Sequence, residues 1–336
     1  MEGMSREIRL VARPQGVPDE DLFELAETPI PDPGEGQLLV RNAYFSVDPY
    51  MRPRMNDVRS YVAPFTLGEA MTGGAVGRVA ASRNERYAEG DWVLHGLGWR
   101  EWTLSDGSGL RKVDPAGAPV STSLGVLGMP GFTAYYGLHE LGQPKEGETV
   151  FVSGAAGAVG STVGQMAKLA GCRVLGCAGS AEKVKWLREL GFDDAFDYRE
   201  RSVRQALAEV APDGIDIYFD NVGGDSLEAA IGALRTHGRI VACGSIARYN
   251  DVEPAPGPRN MFMVVTKRLR IQGYIISDHY EHFPEFLARA QEWVSDGRLR
   301  YRETVIDGIE NAPRAFLGLL RGENIGKMLV KVGPDS

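Results

Sequence analysis

Blocks of basic residues are missing from this chain. Its 37 Lys and Arg are outnumbered by 45 Asp and Glu, for a formal net charge of −8 at pH 7. That balance argues against a nucleic-acid partner. Long apolar runs are missing too, since none approaches the ~18 residues that span a bilayer. The opening stretch, MEGMSREIRL, lacks the apolar core of a signal peptide. Cysteine is scarce. Cys172, Cys177 and Cys243 form no CxxC and cannot all pair, so a reducing cytoplasm is the expected home. There is no internal repeat and no low-complexity tract. What remains is ordinary globular material: 336 residues, 43% hydrophobic and 24% charged, enough for two domains.

The first third reads as β-rich. Short alternating segments, such as Gln37 to Tyr44 and Thr72 to Ala80, are broken by clusters like PIPDPGEG. The texture changes around Gly128-Met129-Pro130-Gly131. From Glu148 onward, continuous apolar runs alternate with helical patterns. TVFVSG precedes a helix to Gly171, CRVLGCAG precedes SAEKVKWLRELG, DIYFDNVG precedes a helix through Leu234, and GRIVACG follows. Apolar strands alternating with amphipathic helices predict a doubly wound parallel sheet, an α/β architecture. The end of the chain, from about Arg302 to Val332, returns to short strands. The expected division is 1–125, 126–300 and 301–336, the last segment rejoining the first domain.

The stretch SGAAGAVGS, Ser153 to Ser161, lies between a strand and a helix. That context is the one dinucleotide binding requires, although GxGxxG is met only as Ala155-x-Gly157-x-x-Gly160. Gly157 lets a pyrophosphate approach the backbone, Gly160 lets helix and strand pack closely, and the helix N-terminus offers N–H groups to phosphate. The plainer alternative is a tight turn with no ligand. The second strand, Arg173 to Cys177, ends in Ala178-Gly179-Ser180, with no acid to hold a ribose 2′-hydroxyl. Lys183 follows in the first turn of the next helix, where the dipole disfavours a cation unless an anion joins it. A surface lysine is the alternative. Missing acid and misplaced base together favour NADPH.

Across nearly its whole length the chain resembles the zinc-independent branch of the medium-chain dehydrogenase/reductase superfamily, and within it the NADPH-dependent alkenal/one oxidoreductases. The matching motifs are SVDPYMR, MPGFTAYYGL, SGAAGAVGSTVGQMAK, GCAGSAEK, GFDDAFDY, DIYFDNVGG, GRIVACGSIARYN and ENIGKMLVKV. The resemblance implies a GroES-like β-rich catalytic domain and a Rossmann NADP-binding domain. It implies that Gly157, Ala158, Val159 and Gly160 bear the pyrophosphate and that Lys183 and Tyr198 hold the 2′-phosphate. Asn221, the stretch Cys243, Gly244, Ser245 to Tyr249, then Tyr274, Ile275, Ile276 and Asn324 would line the rest of the cofactor. Tyr50 would face the substrate. Relatives often carry Ser where this chain has Ala247, which removes one hydroxyl from the cofactor side.

The zinc enzymes of that superfamily use an early Cys and a GHE histidine. The corresponding places here are Ser46 or Val47 and Leu67-Gly68-Glu69, so no metal is expected. The five histidines are scattered, and His279 and His282 read as surface or rim residues. The implied reaction is hydride addition to the C=C bond of an enal or enone, with a donor near the carbonyl oxygen. Tyr249 and Tyr50 are the candidate catalytic phenols. The alternatives are a cofactor anchor for Tyr249 and a packing residue for Tyr50. Asp48 and Arg52 suggest a local salt bridge or cap. Trp92 reads as core, while Phe65, Trp99 and Tyr61 are candidates for the pocket wall. A homodimer is the expected assembly. Competing readings are an NADPH quinone oxidoreductase and a non-catalytic NADPH-binding protein.

Overall fold

The computed structural model describes residues 3–335. They form two units, one from residues up to Gly125 together with those from Glu303 onward, the other Val126–Arg302.

In the first unit, β1 (Met4–Leu10) and β2 (Phe23–Pro29) form an antiparallel pair. Strand β3 (Leu38–Ser46) is the hub of a larger sheet. It pairs antiparallel with β4 (Ala75–Ser82) and β6 (Trp102–Ser105), and β5 (Trp92–His95) and β7 (Arg111–Lys112) extend the β4 side. All but one residue of β3 are buried, so its sequence, LLVRNAYFS, shows little alternation. A turn over Val47–Tyr50 leads into the short helix α1 (Met51–Arg54). Trp99 belongs to the core rather than to a pocket wall. It is fully buried, stacked on Phe45 at 5.5 Å and flanked by Phe23 and Phe316. Trp92 is buried as expected.

The second unit opens with α2 (Met129–Tyr136), which has Pro130 in its first turn. Strands and helices then alternate: β8 (Thr149–Val152), α3 (Ala158–Leu169), β9 (Arg173–Ala178), α4 (Ala181–Glu189), β10 (Asp194–Asp197), α5 (Val203–Val210), β11 (Ile215–Asp220), α6 (Gly224–Ala233) and β12 (Leu234–Ala242). Helix α7 (Phe262–Thr266), strand β13 (Arg270–Gly273) and helix α8 (Phe283–Ser295) complete the unit. Leu234 opens β12 rather than closing the preceding helix, because it pairs with Ile215 of β11. The sheet is wholly parallel, in the order β10-β9-β8-β11-β12-β13. The direction of winding reverses between β8 and β11, the place where such sheets bind ligands at the carboxyl ends of their strands. Phe151 of β8 stacks on Tyr218 at 5.2 Å and on Phe196 at 6.1 Å, and these rings form the centre of one face.

The chain then returns to the first unit. Strand β15 (Lys327–Lys331) pairs antiparallel with β3 and parallel with β14 (Glu303–Asp307), while α9 (Ala312–Leu320) places Phe316 in the core. A β-rich body and a doubly wound parallel sheet are thus both present, as the sequence implied.

Candidate active site

The small-residue loop turns directly from β8 into α3. Gly154 has φ +57°, a left-handed conformation. A Cβ on Gly160 would lie 2.5 Å from the Gly154 carbonyl oxygen, so the first turn of α3 rests on the loop only because Gly160 has none. Gly157 is the N-cap, in extended conformation, and no side chain caps the helix. Ala158, Val159 and Gly160 form the first turn. Its N–H groups have no acceptor within the helix, which suits an anionic group at that end.

Strand β9 ends at Ala178, followed by Gly179 and Ser180, with no acid at the strand's end. The Ser180 hydroxyl caps α4 by accepting the Lys183 N–H at 3.3 Å. Lys183 itself is half-buried. Burial first, and then the charge of Arg199, hold its ammonium below the usual lysine range, with Glu182 opposing. Tyr198 follows β10 and donates its N–H to the Ala178 carbonyl at 3.1 Å. A Cβ on Gly179 would meet the Tyr198 hydroxyl at 2.7 Å and Arg199 Nε at 3.2 Å. Tyr198 and Arg199 therefore stand against Gly179, and Lys183 lies close enough to Arg199 to feel its charge. Arg199 escaped the sequence reading because it sits in a mixed run, Arg199-Glu200-Arg201, that reads as solvated surface.

At the reversal of the sheet, Asp220 ends β11. Its carboxylate accepts from the Tyr218 hydroxyl at 2.7 Å, Gly223 N at 2.8 Å, Val222 N at 3.0 Å and the Ser153 hydroxyl at 3.3 Å. Burial nevertheless leaves its affinity for a proton raised. Asn221 donates its side-chain amide to the Ser153 carbonyl at 2.8 Å. This network ties the glycine loop to the turn after β11. Asp220 was not singled out in the sequence, because a lone acid at a strand end gives no sign of its four partners.

A cavity of about 1380 Å³ opens at the carboxyl ends of β11, β12 and β13. Cys243, Gly244, Ser245, Tyr249, Tyr274 and Ile275 line it, with Asp220 at its floor and residues 251–259 along one wall. Asn221, Ile276, Lys183, Tyr198 and the Gly157–Gly160 turn are not among its lining residues. Burial pushes the Cys243 thiol up to about 12. The Tyr249 oxygen accepts Ser245 N–H at 3.4 Å, closing its own loop, and burial raises its phenol. Tyr274 donates its hydroxyl to the Thr133 carbonyl at 2.7 Å.

Tyr50 and Asn324 belong to the first unit. Tyr50 is the N-cap of α1 and packs partly against the core. Asn324 is buried and donates its amide to the Gly326 carbonyl at 2.7 Å. Asp48 and Arg52 do not form the expected local pair. Asp48 meets Lys327 at 2.9 Å and accepts from Ser46, whereas Arg52 reaches Asn56 and the Gly16 carbonyl. Phe65 is buried and Tyr61 exposed.

Among the described residues, no three His, Cys, Asp or Glu side chains gather into a group able to hold a metal ion. His95 is a structural residue. Its Nδ1 accepts from Leu97 N at 3.1 Å, so Nε2–H faces Asn42 Oδ1 at 2.9 Å, and burial pushes its pKa down to about 3. His279 stacks on Tyr136 at 4.0 Å and His282 lies beside the same ring at 5.6 Å, so both are half-buried aromatic neighbours.

Residues 6–113 match a family model described as the N-terminal domain of oxidoreductase, and residues 158–292 one described as zinc-binding dehydrogenase. The chain is 48% identical over 332 residues to the NADPH-dependent curcumin reductase of Escherichia coli strain K12, covering 97% of this chain and 96% of that one. It is 43% identical over 328 residues to the NADP(+)-dependent 2-alkenal reductase of Nicotiana tabacum, with 95% of each covered. The crystal structure of CurA from Vibrio vulnificus in complex with NADPH superposes with a TM-score of 0.94 at 45% identity, covering 98% of this chain and 99% of that one. The chain belongs to the medium-chain dehydrogenase/reductase superfamily, in its zinc-independent branch of NADPH-dependent alkenal/one oxidoreductases.

Proposed function

We propose that this protein is an NADPH-dependent reductase of the C=C bond of α,β-unsaturated aldehydes and ketones. The near-full-length likeness to relatives named as NADPH-dependent curcumin and 2-alkenal reductases carries this reading. The uncapped N-terminus of α3, and Arg199 beside Gly179 with Lys183 within reach of its charge, fit the cofactor's pyrophosphate and 2′-phosphate. We assign Gly157, Ala158, Val159 and Gly160 to the former and Lys183, Tyr198 and Arg199 to the latter. Asn221, Cys243, Gly244, Ser245, Tyr249, Tyr274, Ile275, Ile276 and Asn324 are assigned to the remainder of the cofactor.

When bound, NADPH supplies a hydride for the substrate's β-carbon. The chain must then stabilise the charge that develops on the carbonyl oxygen and provide for protonation of the α-carbon. Tyr50 and Tyr249 are the phenols proposed for those tasks. The Tyr249 oxygen is engaged as an acceptor from Ser245 N–H, which suits its O–H to donating. In this reading Val126–Arg302 is the NADP-binding domain, and the rest of the chain carries the substrate.

Two finer points belong to the same proposal. The protein works in the cytoplasm, a home that suits its free cysteines; among the described residues no helix is long and apolar enough to cross a membrane. It acts as a homodimer joined along β13. That strand is the edge of the parallel sheet and exposed along its length, beside exposed Met261, Phe262 and Val265. Sedimentation should give a dimer that Val265→Asp converts to monomer.

Turnover tests the activity. NADPH oxidation with 2-alkenals, aromatic enones and benzoquinones, side by side, should favour the enals and enones. Preference for quinones would make it a quinone reductase, and no oxidation with any of them would make it a binding protein.

A further inference from the structure

We infer that Asp220 is a positioning residue for the nicotinamide half of the cofactor. The inference rests on the NADPH reading above. A doubly wound sheet takes a dinucleotide with one mononucleotide on each side of its reversal. Lys183, Tyr198 and Arg199 follow β9 and β10, on one side of that reversal, and so mark the adenosine half. Asn221, Cys243 and Gly244 come directly after β11 and β12, on the other side, and so belong to the nicotinamide half.

Asp220 is buried where these segments meet. The four donors to its carboxylate converge on one oxygen, Oδ1, from the Tyr218 and Ser153 hydroxyls and from Val222 N and Gly223 N. Its main-chain carbonyl accepts from Cys243 N at 2.9 Å and Gly244 N at 3.0 Å. The Ser153 hydroxyl oxygen accepts in turn from Asn221 N at 3.1 Å. Asn221, Cys243 and Gly244 are therefore each placed by Asp220 or by its direct partner. Gly223 is left-handed, at φ +72°, and its N–H is held on Oδ1 at 2.8 Å. Burial raises the proton affinity of Asp220, while the four donors favour its ionised form. Hydrogen bonds to an ionised acceptor are about twice as strong as neutral ones. An aspartate thus fixes this turn more firmly than an asparagine of the same shape would. Tyr218 acts on the cofactor only through this network, since its ring stacks on Phe151 in the apolar core and does not line the cavity.

The test is a binding titration of the full chain with NADPH, NADH and adenosine 2′,5′-bisphosphate, in wild type, Asp220→Asn and Tyr218→Phe. The bisphosphate carries the adenosine half alone. Asp220→Asn should weaken NADPH and NADH by the same factor, about tenfold, the order expected for exchanging a charged acceptor for a neutral one. Its affinity for the bisphosphate should match that of wild type. Tyr218→Phe removes one donor of the four, so its loss should follow the same pattern at a smaller size. That variant keeps the test available if Asp220→Asn does not fold. A residue that only stabilises the fold would lower the melting temperature and either leave all three affinities unchanged or weaken all three alike. Both of those results would overturn the role of Asp220 while leaving the NADPH reading. A wild type that does not bind NADPH would overturn that reading and this inference with it.

Discussion

Lys327 Nζ lies 2.9 Å from Asp48 Oδ1, with both side chains buried and the two residues 279 positions apart in the sequence. The same ammonium donates to the Val47 carbonyl at 2.8 Å and the Met328 carbonyl at 3.1 Å. Strand β15 is thereby tied to the turn that carries Tyr50. Removing one member leaves the other charge buried, at a cost of about 3–5 kcal/mol. Asp48→Asn and Lys327→Met should each lower the urea midpoint accordingly. The double variant Asp48→Leu/Lys327→Met should lose less than the sum of the two, since it leaves no orphaned charge. Additive losses would show that the pair does not act as one unit.

Gly160→Ala should disturb the glycine loop. The new methyl would stand 2.5 Å from the Gly154 oxygen, a backbone atom that cannot rotate away. Overpacking of this kind costs about 1–3 kcal/mol, so the melting temperature should fall. NADPH binding, followed by fluorescence, should weaken as well, because α3 must move off the loop. Unchanged melting and binding would contradict the close approach.

Lys183→Ala should weaken NADPH far more than NADH. One charge-assisted contact is worth about 1.5–3 kcal/mol, or roughly 10- to 150-fold in affinity. The pH dependence has a definite sign. Burial and Arg199 lower the Lys183 ammonium, so it sheds its proton at a lower pH than an exposed lysine. Charge on Lys183 is present below that titration and lost as pH rises through it. NADPH affinity should therefore fall toward alkaline pH while NADH affinity stays flat, and the slope should shrink in Lys183→Ala. Equal loss of both cofactors would refute the assignment.

The fold was legible because its signals are local. Continuous apolar strands such as TVFV, and helices with one apolar face, declare the parallel sheet wherever they alternate. The acid-free end of β9 pointed to the cofactor for the same reason, since a missing residue is visible at a known offset. The site's second layer was not legible. Arg54 stands one turn beyond Tyr50, yet its guanidinium is held by Ala63, Thr72 and Phe65, which nothing in its own turn announces. Lys327 and Asp48 meet only because β15 pairs with β3. Trp99 misled as a lone aromatic among glycines, since nothing nearby in sequence announces Phe23, Phe45 and Phe316.

Tyr249→Phe separates donor from anchor. Burial keeps this phenol protonated through neutral pH. If it donates to the substrate, its loss should lower turnover about 10²- to 10⁴-fold, the range for a positioned acid, with NADPH affinity little changed. If it only holds the loop through Ser245, NADPH should bind more weakly and saturated turnover should stay near wild type. Stopped-flow turnover at saturating cofactor, with a parallel binding titration, distinguishes the two.

The chain reduces C=C and not C=O. The most direct measurement uses NADPH deuterated at the transferring C4 position with a 2-alkenal, and locates the label in the product by NMR. A saturated aldehyde with deuterium on its β-carbon and the carbonyl intact is expected. An allylic alcohol with deuterium on the former carbonyl carbon would contradict it.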